Sequence, residues 1–252
     1  MTYEIQNFTF QNPTKILFGR NRIEDIDNEI PKDAKVLVLY GGGSVKKNGA
    51  FDRAVKALGN REWDEFSGIE ANPTFETLMK AVEKVRAENF TYLLAIGGGS
   101  VIDGTKFVSA ASLFTEDPVD LFGWGVGKGL PVQEVVPFGT ILTLPATGSE
   151  MNAGAVITLV EKKAKVSFRG PKTFPVFSVL EPELTYTLPV RQLVNGLLDT
   201  FIHVMENYLT YPVGALLQDR YAESILQTLI EIAPRVIDTD HIDYNDRGTF
   251  MW

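Results

Sequence analysis

Asp199 and His203 stand four residues apart in the stretch LLDTFIH, among Leu197, Leu198, Phe201 and Ile202. On a helix, side chains at that spacing share one face. A carboxylate and an imidazole so placed make part of a site for a divalent metal ion. The chain holds one other histidine, His241, in the acidic, loop-like stretch DTDHIDYND, where an exposed side chain is the expectation. Taken alone, an Asp-x-x-x-His pair is more often a local polar pair than a pair of ligands. Its neighbours in sequence have to decide.

A second chemistry lies in two glycine loops. GGGS occurs at 41–44 and again at 97–100, each time after a short apolar run. Glycine lets the backbone come close to a ligand, and the first turn of a following helix offers free N–H groups and a favourable dipole to phosphate. The dinucleotide fingerprint G-x-G-x-x-G fails, because the last glycine of the second loop would fall on Ile102. The phosphate-loop pattern with its terminal Gly-Lys-Ser/Thr fails as well. Two readings of the loops therefore stay open: tight turns, or phosphate cradles. After the first loop there is no acid to take a ribose 2′-OH; Ser44, Lys46 and Lys47 follow instead, a set suited to a 2′-phosphate. The plainer reading of Lys46 and Lys47 is solvated surface charge.

These groups need a scaffold. KVLVLY (35–40) and YLLAIGGGS (92–100) read as buried parallel strands, and GTILTLPATGSE (139–150) as a strand entering a small-residue loop. Helical patterns cover about 49–58, 73–89 and 101–114. The alternation implies an α/β fold with a parallel sheet, Rossmann-like, over residues 1–188. The opening FTFQNPTKILFG reads as two short strands around an Asn-Pro turn, and the β-rich arm over 3–18 leaves a sheet edge that needs covering. From Pro189 the pattern is helical throughout, with helices at about 190–210 and 214–236 and the start of a third. Residues 189–252 thus read as the first helices of an all-helical domain, ending on an apolar Met251-Trp252 pair that looks cut.

Bulk properties narrow the partners. A net charge of −8 argues against nucleic acid and anionic membranes. No run approaches the roughly 18 apolar residues of a membrane span. The chain has no cysteine, which removes disulfides and thiolate metal sites and fits a cytoplasmic protein; no secretory signal opens it.

Three stretches taken together, GGGSVIDGTKF (97–107), TLPATGSEMN (143–152) and LLDTFIHVMENYLT (197–210), resemble the iron-dependent (group III) alcohol dehydrogenases. The loop YGGGSVKKNG is similar to that of the bacterial NADP-dependent aldehyde reductase and butanol dehydrogenase branch. The resemblance runs from NPTKILFG to the last residue. It implies NADP in preference to NAD, a divalent Fe²⁺ or Zn²⁺ ion, small aldehyde or primary alcohol substrates, and a homodimer.

Carried over by position, Gly98, Gly99 and Ser100 would hold the pyrophosphate, with the catalytic-site carboxylate Asp103 near the nicotinamide end. Thr143 and Thr147 would line the cofactor cleft, and Lys165 would sit near a ribose. Gly42, Gly43 and Ser44 would face the adenosine 2′-phosphate. Asp199 and His203 match the first two metal ligands. The family completes its site with two histidines further downstream, and His241 matches neither, so the resemblance implies a chain shortened within its helical domain and little activity from these 252 residues alone. Alternatives are a glycerol-dehydrogenase-like or dehydroquinate-synthase-like enzyme, which share this architecture, or a nucleotide-binding remnant without chemistry.

Overall fold

A computed structural model of the chain describes residues 7–211 and 213–252. The strands are β1 (Lys15–Phe18), β2 (Val36–Tyr40), β3 (Trp63–Phe66), β4 (Tyr92–Gly97), β5 (Phe138–Leu142), β6 (Gly154–Leu159), β7 (Ala164–Arg169) and β8 (Phe177–Leu180). The helices are α1 (Ile26–Glu29), α2 (Ser44–Lys47), α3 (Ala50–Leu58), α4 (Phe75–Glu88), α5 (Gly99–Leu113), α6 (Val190–Tyr208), α7 (Leu216–Val236) and α8 (Tyr244–Met251). Six strands form one sheet in the order β1-β8-β5-β4-β2-β3, every pair parallel. β6 and β7 form a separate antiparallel hairpin.

The apolar runs of β2 and β4 are buried on both faces, and their side chains alternate between two cores. Leu37, Leu39, Leu93 and Ala95 face the layer that contains α4 and α5. Val36, Val38, Leu94 and Ile96 face the layer that contains α3. Burying each such side chain contributes about 1.5–3 kcal/mol. The chain leaves β2 towards one face and β4 towards the other, so the strand order reverses between them. In open α/β sheets that reversal opens a crevice at the carboxyl ends of the strands. Both GGGS loops lie there, since Tyr40 pairs with Ile96 in register.

The N-terminal reading needs correction. Of the two strands expected around Asn12-Pro13, only Lys15–Phe18 forms, and it pairs in parallel with β8 as an edge strand rather than in a hairpin. Residues 7–14 carry no regular structure, because Phe8 and Phe10 point into solvent and Asn12 instead donates to the Met151 carbonyl. The rest of the expected arm, residues 3–6, lies outside the described residues.

The helical segment begins at Val190, beside the expected boundary. Leu193 and Leu197 of α6 pack on Leu229, Ile232 and Val236 of α7 and on Phe250 of α8. Leu198 and Ile202 on the other side of α6 are 58% and 52% exposed. α8 turns back to the α/β layers: buried Arg247 donates to the Thr185 carbonyl at 2.7 Å, and Trp252 stands edge-on to Phe18.

Candidate functional site

A cleft of about 940 Å³ separates the carboxyl end of the sheet from α6 and the β6–β7 hairpin. Gly99, Ser100, Asp103, Thr147, Lys165, Asp199 and His203 all line it. Residues from four distant stretches of sequence therefore meet in one cavity. A second hollow of about 490 Å³ adjoins it and shares Gly99, Ser100, Thr147 and Asp199.

The second glycine loop forms the start of α5. No side chain caps this helix, and while the Val101 and Ile102 amides bond to the Gly98 carbonyl, those of Gly99 and Ser100 have no partner among the described residues and remain available to a ligand. Glycine is required at 99 by close approach: a Cβ there would lie 2.4 Å from Thr147 Oγ1. Ser100 Oγ accepts from the Asn72 amide, and Lys165 Nζ donates to Asn72 Oδ1 at 2.7 Å. Asn72 thus bridges α5 and the hairpin, a role its sequence did not announce.

Asp103 is held from two sides. Ser149 Oγ donates to its Oδ1 at 2.5 Å, and the Val156 amide donates to its Oδ2 at 2.9 Å. Burial pushes its carboxyl up from the usual range, opposed by the nearby Lys106 ammonium. Lys106 is itself fully buried and donates to Ser149 Oγ, Asn152 Oδ1 and the Gly154 carbonyl. Burial brings its pKa down to about 8, against the pull of Asp103 and Glu150. Sequence reading missed Lys106, Ser149 and Asn152; only the small-residue run after Thr147 marked their neighbourhood.

Asp199 and His203 come together on α6, with Oδ2 and Nε2 3.7 Å apart and both side chains about half exposed. Glu206 Oε2 lies 3.8 Å from His203 Nδ1. An oxygen and an imidazole nitrogen facing an open cleft are a chemically suitable donor pair for a divalent ion. Among the described residues no group of three or more His, Asp or Glu side chains is gathered for a metal. His241 is exposed in the turn before α8 and bonds to Asp238, away from the cleft lining.

Other expected residues lie apart from the main cleft. Gly42, Gly43 and Ser44 line neither hollow, although their loop abuts α5: a Cβ on Gly41 would come 3.7 Å from Val101 Cγ2. A Cβ on Gly42 or Gly43 would meet nothing within 4 Å, so the loop presents open space. Lys46 is not the free cation the sequence suggested. It pairs with Glu65 at 2.7 Å and stacks on Phe51, leaving Ser44 and Lys47 as the groups of that loop whose side chains have no partner among the described residues. Gly98 and Thr143 do not line the cleft either; Thr143 is buried and its amide donates to the Gly97 carbonyl, fixing β5 to the glycine loop.

Residues 13–182 match the profile of the iron-containing alcohol dehydrogenases. The chain is 49% identical over 250 residues to the NADPH-dependent aldehyde reductase YqhD of Escherichia coli, covering 98% of this chain and 64% of that protein. It is 41% identical over 251 residues to the probable NADH-dependent butanol dehydrogenase 1 of Bacillus subtilis, again covering 64% of the relative. The crystal structure of E. coli YqhD superposes with a TM-score of 0.94 at 47% identity, covering 100% of this chain and 64% of that one. The NADH-dependent butanol dehydrogenase A of Thermotoga maritima superposes with a TM-score of 0.92 at 37% identity, covering 100% and 63%. The chain thus spans about two-thirds of the length of these relatives.

Proposed function

The chain belongs to the iron-containing alcohol dehydrogenase family, and on that premise we propose that it interconverts primary alcohols and aldehydes with NADP(H) and a divalent metal ion. The observation that carries this reading is the single cleft in which the uncapped start of α5 faces Asp199 and His203. The first turn of α5 would receive the pyrophosphate, with Gly99 giving the room and Lys165 lying beside a ribose. Asp199 and His203 would hold Fe²⁺ or Zn²⁺ with further ligands from outside the described residues. Bound together, the cofactor supplies hydride and the ion acts as a Lewis acid on the substrate oxygen. Asp103, fixed by Ser149 and Val156, keeps a carboxylate in the cleft wall.

NADP is favoured over NAD because no acid follows β2 and the open loop at Gly42 and Gly43 ends in Ser44 and Lys47. The names of the relatives divide on this point, the aldehyde reductase being NADPH-dependent and the butanol dehydrogenase NADH-dependent. A homodimer is part of the reading, supported by the exposed edge of β1 and by Phe8 and Phe10 beside it. A cytoplasmic location rests on the cysteine-free composition. No helix among the described residues is long and apolar enough to cross a membrane.

The test is a chimera. The remaining third of the E. coli aldehyde reductase is fused after Trp252, and NADPH oxidation is followed with short aldehydes. The expected result is metal-dependent reduction that Asp199→Asn and His203→Ala each abolish. A folded chimera without activity, or one indifferent to both substitutions, overturns the reading.

A further inference from the structure

We propose that Lys106 is a positioning residue whose charged ammonium locks Asp103 and the 149–154 segment into one rigid cleft wall, and that this lock sets the affinity for the dinucleotide. The inference rests on the reading of the cleft as a dinucleotide site.

The geometry is specific. An ammonium has three N–H donors. Lys106 spends one on Ser149 Oγ at 2.8 Å, one on Asn152 Oδ1 at 2.9 Å and one on the Gly154 carbonyl at 2.7 Å. Ser149 passes the connection on to Asp103 Oδ1, and Asp103 Oδ2 holds the amide of Val156 in β6. One buried nitrogen thereby joins α5, the turn Ser149–Met151 and the hairpin. Asp103, Ser149, Asn152, Gly154 and Val156 all face the cleft, whereas Lys106 lies behind them with no exposed surface.

The charges around this nitrogen are few. Asp103 of its own helix and the buried Glu150 act on Lys106, and Lys165 of β7 acts on Asp103. A neutral amine has only two N–H donors, so loss of the proton removes one of the three bonds that tie α5 to the 149–154 segment. It also leaves Asp103 and Glu150 without a cation between them, beside the place where an anionic cofactor binds. Both consequences weaken binding. Burial brings the proton loss down to about pH 8, within the span of a binding titration.

The experiment titrates NADPH by fluorescence with the parent chain, Lys106→Met and Glu150→Gln, from below to well above pH 8, with circular dichroism to verify folding. The parent should bind about tenfold more weakly above the transition than below it, a coupling of ordinary size. Lys106→Met should bind about tenfold more weakly than the parent at low pH and show no such transition. Glu150→Gln should move the transition to lower pH, because one of the two carboxylates that retain the proton is gone. A structural lysine without this role would leave the pH profile where it is in Glu150→Gln, and that result overturns the inference even if Lys106→Met fails to fold. A folded Lys106→Met with parental affinity and profile overturns it too. A parent chain that binds neither NADPH nor NADH at any pH removes the dinucleotide reading itself, and this inference with it.

Discussion

Asp199 Oδ2 and His203 Nε2 lie 3.7 Å apart on successive turns of α6, facing a cleft whose opposite wall is the glycine-rich start of α5. Two donors do not close a site for a catalytic metal, which usually has three protein ligands and an open position. The 252-residue chain should therefore purify with far less than one metal ion per chain. Metal analysis showing a stoichiometric ion would mean that a third ligand comes from Glu206, from His241 or from a second copy.

Gly42 tests cofactor choice. A Cβ at this position meets nothing within 4 Å, so Gly42→Asp starts its side chain in open space. The variant should keep its thermal stability, lose affinity for NADPH by about tenfold and bind NADH at least as well as the parent, since an acid after the second strand repels a 2′-phosphate and accepts from a 2′-OH. Equal losses for both cofactors, read by parallel titrations, would count against a 2′-phosphate at this loop.

Asp103 is more than an exposed functional acid. Its carboxylate takes two hydrogen bonds and faces a buried lysine, so Asp103→Ala should cost stability as well as function. Hydrogen bonds to charged groups contribute about 1.5–3 kcal/mol, and a loss of about 2 kcal/mol or more in urea unfolding is expected. Asp103→Asn, which keeps the shape, should fold better than Asp103→Ala yet still weaken cofactor binding. Parental behaviour in both variants would reduce Asp103 to a bystander.

Lys106 also predicts how stability depends on pH. Its folded pKa of about 8 lies below the free value of 10.5, so between these limits the unfolded chain binds more protons than the folded one. Its contribution to stability then grows as pH rises through that window and is lost as pH falls through about 8. Thermal melts of the cofactor-free chain, compared with Lys106→Met, should show this rising component only in the parent. Cofactor affinity should run the opposite way with pH, and parallel trends in the two measurements would contradict the assignment.

The sheet was legible because its central strands are short apolar runs that end in glycine. VLVLY and YLLAIG have no other reading once helices follow both. That Asp199 and His203 share a helix face was legible from their spacing, whereas their reading as metal ligands came from the flanking motifs. Other parts were hidden for physical reasons. Lys106 looks like any solvated lysine until the 149–154 segment covers it, and that contact joins residues more than 40 positions apart. Lys46 looked free because its partner, Glu65, lies on the neighbouring strand. The β6–β7 hairpin went unread because its turn, around Glu161–Lys163, lacks the Asn-Gly or Asp-Gly signal that marks tight hairpins.

The central claim, a cleft built for NADP(H) at the switch between β2 and β4, is tested most directly by titrating the 252-residue chain with NADPH and with NADH while following nicotinamide fluorescence. The account predicts saturable binding of both, tighter for NADPH, and weakened by Gly99→Ala, whose added methyl would collide with Thr147. No saturation with either cofactor, or tighter binding of NADH, would contradict it.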